Sequence, residues 1–301
     1  VTYTIAMVTT DPAGLGGRDQ DTGPLADALR AVGLTVDAPV WHDPAVDWAG
    51  YDLVVIRTPW DYSERYPEFL AWLDRAAGLT RVLNAPELIR WNIDKRYLDD
   101  FQALGVPVVP TVFCVTADEV RAAVAGFATG RVVLKPSVSA GSRDTGLFEP
   151  GDPRALDLAG RILADGKTVM VQPAAERVIE DGENALFFFN GEYSHAFHKG
   201  PILVPGGGYV GGSYTSDISR VEPHADEIVL GARVLAAVRT IAAAKGLGAD
   251  AGLPLYARVD IAAGLPPEVI EVEIFEPAYF VDVVPEAVPA FVRAVQERLA
   301  R

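Results

Sequence analysis

The chain has 301 residues, 50% of them hydrophobic and 22% charged, with a formal net charge of −15, which is length enough for two or three subdomains with cores of their own. An acidic excess on this scale works against nucleic acid or anionic membrane as a partner, because their phosphates reward the opposite sign, though a local basic pocket stays possible. A lone cysteine, Cys114, permits no intrachain disulfide, and neither a signal-peptide pattern nor a bilayer-length apolar run stands out, so a cytoplasmic protein is expected.

Residues 1–94 alternate between strand and helix patterns. Tyr3–Thr9, Asp52–Ile56 and Arg81–Asn84 read as β runs. Asp21–Val32 places Leu25, Ala28, Leu29 and Val32 on one helical face before Gly33, and Tyr66–Ala77 is a second helix. This alternation predicts a parallel, doubly wound sheet, in which ligands bind beyond the carboxyl ends of the strands. Arg57-Thr58-Pro59-Trp60-Asp61-Tyr62 occupies that position, so Arg57, Asp61 and Tyr62 are candidates for holding a substrate; the plainer reading is a surface loop fixed by an Arg57–Asp61 pair.

Asn92-Ile93-Asp94-Lys95 leads into a helix over Arg96–Leu104, with Asn92 or Asp94 as an ordinary N-cap in the plainest account. Helices follow at Ala117–Phe127 and Arg154–Leu163, and Cys114 lies in an apolar run that predicts a core position. Between the helices, Val132–Pro136 is a short β run that delivers Lys135 into the loop Ser137–Thr145, rich in Ser and Gly. A cation on a stiff element followed by flexible backbone suits phosphate oxygens, although a solvated turn can look the same. Arginine outnumbers lysine 21 to 5, so the few lysines carry more information than usual; Lys95, Lys135 and Lys199 each sit in a motif-like context.

Thr168–Gln172 is a strand that Pro173 interrupts. Asn184–Phe189 and Glu192–Lys199 flank Asn190-Gly191, a strong signal for a two-residue hairpin turn. A glycine-rich loop at Gly206–Ser213 comes next, then an apolar helix within Glu222–Ala244 and a closing helix at Pro285–Leu299. Two strands, Tyr256–Ile261 and Glu268–Phe275, lie between those helices. On them Glu271 and Glu273 share one face, as do Arg258 and Asp260. Adjacent glutamates repel unless a cation or a solvated face offsets them, so the group is either a hard-cation site or a wet sheet surface with an Arg–Glu pair.

Lys95 in Asn-Ile-Asp-Lys, Lys135 in Val-Val-Leu-Lys-Pro, Gln172 in Val-Met-Val-Gln-Pro and Asp260…Glu271-Val-Glu273 stand in the order seen in ATP-grasp carboxylate–amine ligases. The resemblance covers nearly the whole chain. It implies an α/β ATP-grasp fold: an N-terminal doubly wound α/β domain at 1–94, a central α+β lid subdomain at 95–172, and a C-terminal α+β subdomain with the metal site at 173–301. It further implies ATP and Mg²⁺, two ions in all, as cofactors. Lys95, Lys135, Ser139, Gly141 and Ser142 would then face phosphates, Gln172 the adenine and Glu183 the ribose. Asp260, Glu271 and Glu273 match the metal ligands, although glutathione-synthetase-like members commonly carry Asn where this chain has Glu273.

Within the family, Arg57–Tyr62 and Glu271-Val-Glu273-Ile-Phe-Glu276-Pro277 are most similar to cyclo-ligases that close O-ureido-serine into cycloserine. That resemblance implies an acylphosphate formed on a small amino-acid-like substrate, with Lys199 and Arg258 holding the reacting groups. His198, Tyr209, Gly211 and Ser213 are candidates for the substrate wall, His198 and Lys199 pointing to opposite faces of their strand. An intermolecular amino-acid or dipeptide ligase and a non-catalytic ATP-binding regulator are the rival expectations, and a homo-oligomer is compatible with either.

Overall fold

The computed structural model describes residues 2–127, 130–203, 217–262, 264 and 266–301, together with the backbone of 208–209. Among the described residues, fourteen strands form three sheets. The first contains β1 (Thr4–Thr9), β2 (Thr35–Asp37), β3 (Leu53–Thr58) and β4 (Val82–Leu83), all parallel in the order β2-β1-β3-β4. β3 is buried along its whole length, as a strand covered on both faces must be, which is why it reads as an apolar run. Its carboxyl end opens into Pro59–Tyr62, where the alternation of elements predicts a ligand-facing loop.

The second sheet begins with β5 (Val112–Cys114), β6 (Val132–Pro136), β7 (Thr145–Phe148) and β8 (Val169–Pro173). The hairpin of β9 (Glu183–Phe189) and β10 (Glu192–Lys199) starts the third sheet. A short strand, β11 (Gly208–Tyr209), then returns to the second, pairing with Thr145–Gly146. β12 (Ile218–Arg220), β13 (Tyr256–Ala262) and β14 (Glu268–Glu273) complete the third, in the order β12-β10-β9-β13-β14. The second sheet runs β11-β7-β6-β8-β5, so it draws on chain beyond residue 172. The hairpin turn matches its sequence signal: Asn190 and Gly191 have φ of 48° and 84°, the two positive values that a twist-matched two-residue turn needs.

Helices 117–126 and 154–164 cover one face of the second sheet, over a core containing Cys114, Leu134, Leu158 and Ile162. The first of them starts with a capping box: Thr116 Oγ1 accepts from Glu119 N at 3.2 Å, and Glu119 Oε2 accepts from Thr116 N at 3.1 Å. Helices 97–103 and 225–244 pack on the third sheet. The core between the first and third sheets is common to both. Ile5, Met7 and Leu25 pack in one cluster with Phe187, Phe197, Tyr256 and, from the C-terminal helix 287–299, Phe291 and Val295.

β14 is an edge strand, and unpaired edges are usually covered. Here the chain just before the second sheet covers it. Asn92 uses its side-chain amide as a peptide group would, donating to Val272 O at 2.8 Å and accepting from Ile274 N at 3.1 Å. Tyr97 Oη accepts from Val272 N at 2.9 Å. Val269 exchanges backbone bonds with Pro107 and Val109, both at 3.0 Å. Asn92 therefore closes the short helix 86–92 and seals an edge, where the sequence allowed an N-cap.

Candidate active site

The second and third sheets face each other across a cavity of ≈ 400 Å³. Its walls include Lys95, Lys135, Ser139, Gly141, Ser142, Gln172, Glu183, Lys199, Arg258, Asp260, Glu271 and Glu273. Thus the phosphate, adenine, ribose, metal and reacting-group candidates come together on one space. Sheet register explains the carboxylate side: Arg258 lies opposite Glu273 and Asp260 opposite Glu271 across the β13–β14 ladder.

Each carboxylate in the row meets a cation. Arg258 grips Asp260 with two nitrogens at 2.8 and 2.9 Å and reaches Glu273 at 2.6 Å. Lys199 Nζ lies 2.7 Å from Asp260 Oδ2 and is also paired with Glu183. Lys95 Nζ lies 3.1 Å from Glu271 Oε1 and donates to Ser139 O at 2.9 Å. Burial alone would raise the Asp260 carboxyl, but the Arg258 guanidinium and the Lys199 ammonium outweigh it and hold it at about 2. For Glu271 burial is likewise overcome, by Lys95 and Lys135, and the net shift is downward.

Two groups are left on the wrong side of this balance. Burial pushes the Glu273 carboxyl up to about 7; Arg258 opposes this, while Glu271 and Asp260 reinforce it. Lys135 is 8% exposed and forms no salt bridge with a described residue. Burial pulls its ammonium downward despite the attraction of Glu271. A buried cation that lacks its own counter-ion and faces a cavity is stabilised by an incoming anion.

A hard divalent cation fits the donor set on chemical grounds: Asp260, Glu271 and Glu273 supply only carboxylate oxygens, and Glu273 is destabilised by its neighbours' charge. Among the described residues no three such groups close on a single point, since each leans on a lysine or arginine. The loop beside them is shaped for close backbone approach. Gly141, Ser142 and Asp144 have φ of 60°, 57° and 54°, the left-handed conformation found where successive N–H groups form an anion-binding concavity.

Glu276 also lines the cavity, and the sequence offered it only as part of a signature. Burial first, then Glu273, push its carboxyl well above the usual range, and it is hydrogen-bonded to Tyr62 Oη at 3.0 Å. The adenine candidate Gln172 donates to Thr111 Oγ1 at 2.8 Å.

Four expected substrate residues are placed elsewhere. Arg57 is 0% exposed and does not reach the cavity. Its partners are Pro277 O at 3.0 Å, Asp21 at 3.9 Å and the Tyr279 ring, 3.8 Å from the guanidinium carbon. Asp61 accepts from Trp41 Nε1 at 2.8 Å and from Arg65 Nη1 at 3.3 Å, so the anticipated Arg57–Asp61 pair is replaced by two separate networks. Tyr62 is buried behind Glu276, where its hydroxyl also donates to Ser139 O at 3.3 Å. Both ring nitrogens of His198 are engaged, with Asn184 Oδ1 at 2.9 Å and Asp181 O at 2.7 Å. Of the loop, Trp60 does line the cavity, with Gly17, Arg18 and Gln20. Gly211 and Ser213 lie outside the described residues, and Tyr209 is described only by its backbone.

Residues 5–84 match the family model described as the N-terminal domain of D-cycloserine synthetase DcsG. Over 98% of its length the chain is 38% identical to the cycloserine biosynthesis protein DcsG of Streptomyces lavendulae, covering 99% of that protein. The chain belongs to the D-cycloserine synthetase family. Its fold superposes on the crystal structure of D-cycloserine synthetase DcsG with a TM-score of 0.86 at 34% identity, over 98% of this chain and 99% of that one. D-alanine–D-alanine ligase from Bacillus anthracis shares the fold at 12% identity, with a TM-score of 0.64 over 100% and 97% of the two chains. A RimK-domain ATP-grasp protein from Sphaerobacter thermophilus does so at 17%, with a TM-score of 0.66 over 98% of each. The D-cycloserine synthetase family thus has the ATP-grasp fold, and no helix among the described residues is long and apolar enough to cross a membrane.

Proposed function

We propose that this chain activates the carboxylate of O-ureido-D-serine with ATP and closes the five-membered ring of D-cycloserine within the same molecule. The observation that carries the reading is Lys135, a buried cation without a salt-bridge partner among the described residues, facing the cavity row of Asp260, Glu271 and Glu273 in a chain of this family. Lys135, Lys95 and the loop containing Ser139, Gly141 and Ser142 hold the phosphates, with Gln172 toward the adenine and Glu183 toward the ribose. Asp260, Glu271 and Glu273 would hold two Mg²⁺ ions, whose charge screens the β- and γ-phosphates.

A substrate carboxylate oxygen attacks the γ-phosphorus and ADP leaves. The ureido nitrogen bonded to oxygen then attacks the acyl carbon, the C–N bond forms and phosphate departs. Lys199 and Arg258 hold the acylphosphate oxygens at that moment. The product ring nitrogen carries only hydrogen, so the carbamoyl group is lost to water. Because nucleophile and electrophile share one molecule, the protein's task is to fold the substrate and exclude extended conformers. Arg18, Gln20 and Trp60 take over the wall assigned from sequence to Arg57, Asp61 and Tyr62.

The test is ADP release on mixing the protein, ATP and Mg²⁺ with small amino-acid carboxylates, O-ureido-D-serine included, followed by mass analysis of the product. Ring formation from a single substrate supports the proposal. Release that needs a second amino acid makes the protein an intermolecular ligase, and no stimulated release makes it a binder.

A further inference from the structure

The catalytic cavity has a neighbour of ≈ 340 Å³, bordered by Asp21, Asp217, Ile218 and Asp282 among others, and Arg18, Gln20, Ala278 and Phe280 line both hollows. Phe280 stands in this partition with a φ of 53°. For a bulky residue that conformation persists only where the surroundings impose it, and such residues gather at functional sites.

The agent that imposes it is Asp21, at the start of helix 22–31 in the N-terminal sheet's layer. Its carboxylate accepts from Tyr279 N at 2.7 Å and from Val281 N at 3.0 Å, the two amides that flank Phe280. Drawing both onto one carboxylate makes the backbone between them turn, and the Phe280 ring meets Phe197 edge-on at 4.9 Å. Further anchors hold the same segment from the first sheet's side: Arg57 on Pro277 O at 3.0 Å, and Trp60 Nε1 on Glu276 O at 3.0 Å.

We propose that Phe280 is a specificity-determining residue: it ends the substrate side of the cavity and limits the length of the amino acid that fits, with Asp21 as the residue that positions it. This rests on the ring-closing reading above. A ring-closing site must deny its substrate the room to extend, and removal of the Phe280 ring would join the two hollows and supply that room. One methylene in a pocket of this kind discriminates by roughly 10–200-fold.

The experiment compares kcat/KM for ADP release with O-ureido-D-serine and with its homologue one methylene longer. Wild type is expected to favour the shorter substrate by at least tenfold. Phe280→Ala and Phe280→Leu should bring the ratio to within about threefold, through a gain on the longer substrate. Asp21→Asn, which leaves one oxygen where two amides need acceptors, should move the ratio in the same direction by less, with KM for ATP unchanged. If both substrates slow equally in the Phe280 variants, that residue is only structural and the proposal falls. Titration calorimetry of the same pair in the presence of ADP separates the two possible failures. Binding without turnover removes the ring-closing reading while the ratio of dissociation constants still tests the wall; absence of binding by either compound overturns the wall as well.

Discussion

Lys95 and Glu271 form an ion pair of 3.1 Å between two segments already tied together by hydrogen bonds on either side of the lysine, from Asn92 and Tyr97 to β14. This lysine, which precedes the second sheet in chain order, is thereby anchored to the sheet carrying the carboxylates. Its amide and ammonium also bond Ser137 O and Ser139 O, both at 2.9 Å, so it bridges the two sides of the cavity.

Glu271→Gln keeps the hydrogen-bonding shape and removes the charge. Turnover with Mg²⁺ and ATP should fall at least about a hundredfold, most steeply at limiting Mg²⁺, with an unchanged circular dichroism spectrum. Turnover close to wild type at limiting Mg²⁺ would remove Glu271 from the proposed metal site.

Lys135→Met should act in opposite directions on stability and binding. The ligand-free protein loses a buried charge without a salt-bridge partner, so its melting temperature should hold or rise. A charge-assisted phosphate contact is worth about 1.5–3 kcal/mol, so the Kd for ATP should rise roughly 10–150-fold while that for AMP changes little. Equal losses for both nucleotides would point to a general structural role.

Asp61→Asn tests the reassignment of the loop after β3. With Asp61 bonded to Trp41 and Arg65 outside the cavity, the variant should melt at a lower temperature and keep its substrate KM within about twofold. A tenfold change in KM at constant stability would return this residue to the substrate wall.

His195 should give the protein a pH-dependent stability unconnected with the cavity carboxylates. Its ring stacks on Phe187 at 5.0 Å, Nε2 has no hydrogen-bond partner among the described residues, and burial pushes the imidazole down to about 4, against the pull of Glu286. The unfolded chain takes up this proton near pH 6.5, so the contribution is intact above that pH and is lost as pH falls toward 4. Between pH 7 and pH 5 the loss is about 2 kcal/mol, and His195→Gln should flatten that part of the stability profile. An unchanged slope in urea titrations would assign the acid sensitivity to other groups.

Features that depend on local pattern were legible in the sequence. Asn190-Gly191 announces its hairpin, and the alternation in Glu268–Phe275 by itself places Glu271 and Glu273 on one face. Features that depend on distant partners were not. Nothing near Arg57 indicates that its guanidinium ends on Pro277 and Tyr279, and nothing near Asn92 indicates an exposed edge at Val272. Phe280 lacks the glycine that normally flags a left-handed position, because the constraint comes from Asp21. β7 carries no strand signal of its own, because Thr145-Gly146-Leu147-Phe148 is short and emerges from a loop of small residues.

The core shared by Ile5, Met7 and Leu25 with Phe187, Tyr256 and Phe291 bears on how such an enzyme can be recombined. A fragment cut at residue 94 would bare apolar surface on both pieces, so neither should fold alone. Grafting the first sheet of a relative onto the rest of this chain would require exchanging the C-terminal helix 287–299 with it, since that helix packs in the core between the first and third sheets. The two ends of the chain therefore have to be exchanged as one cassette.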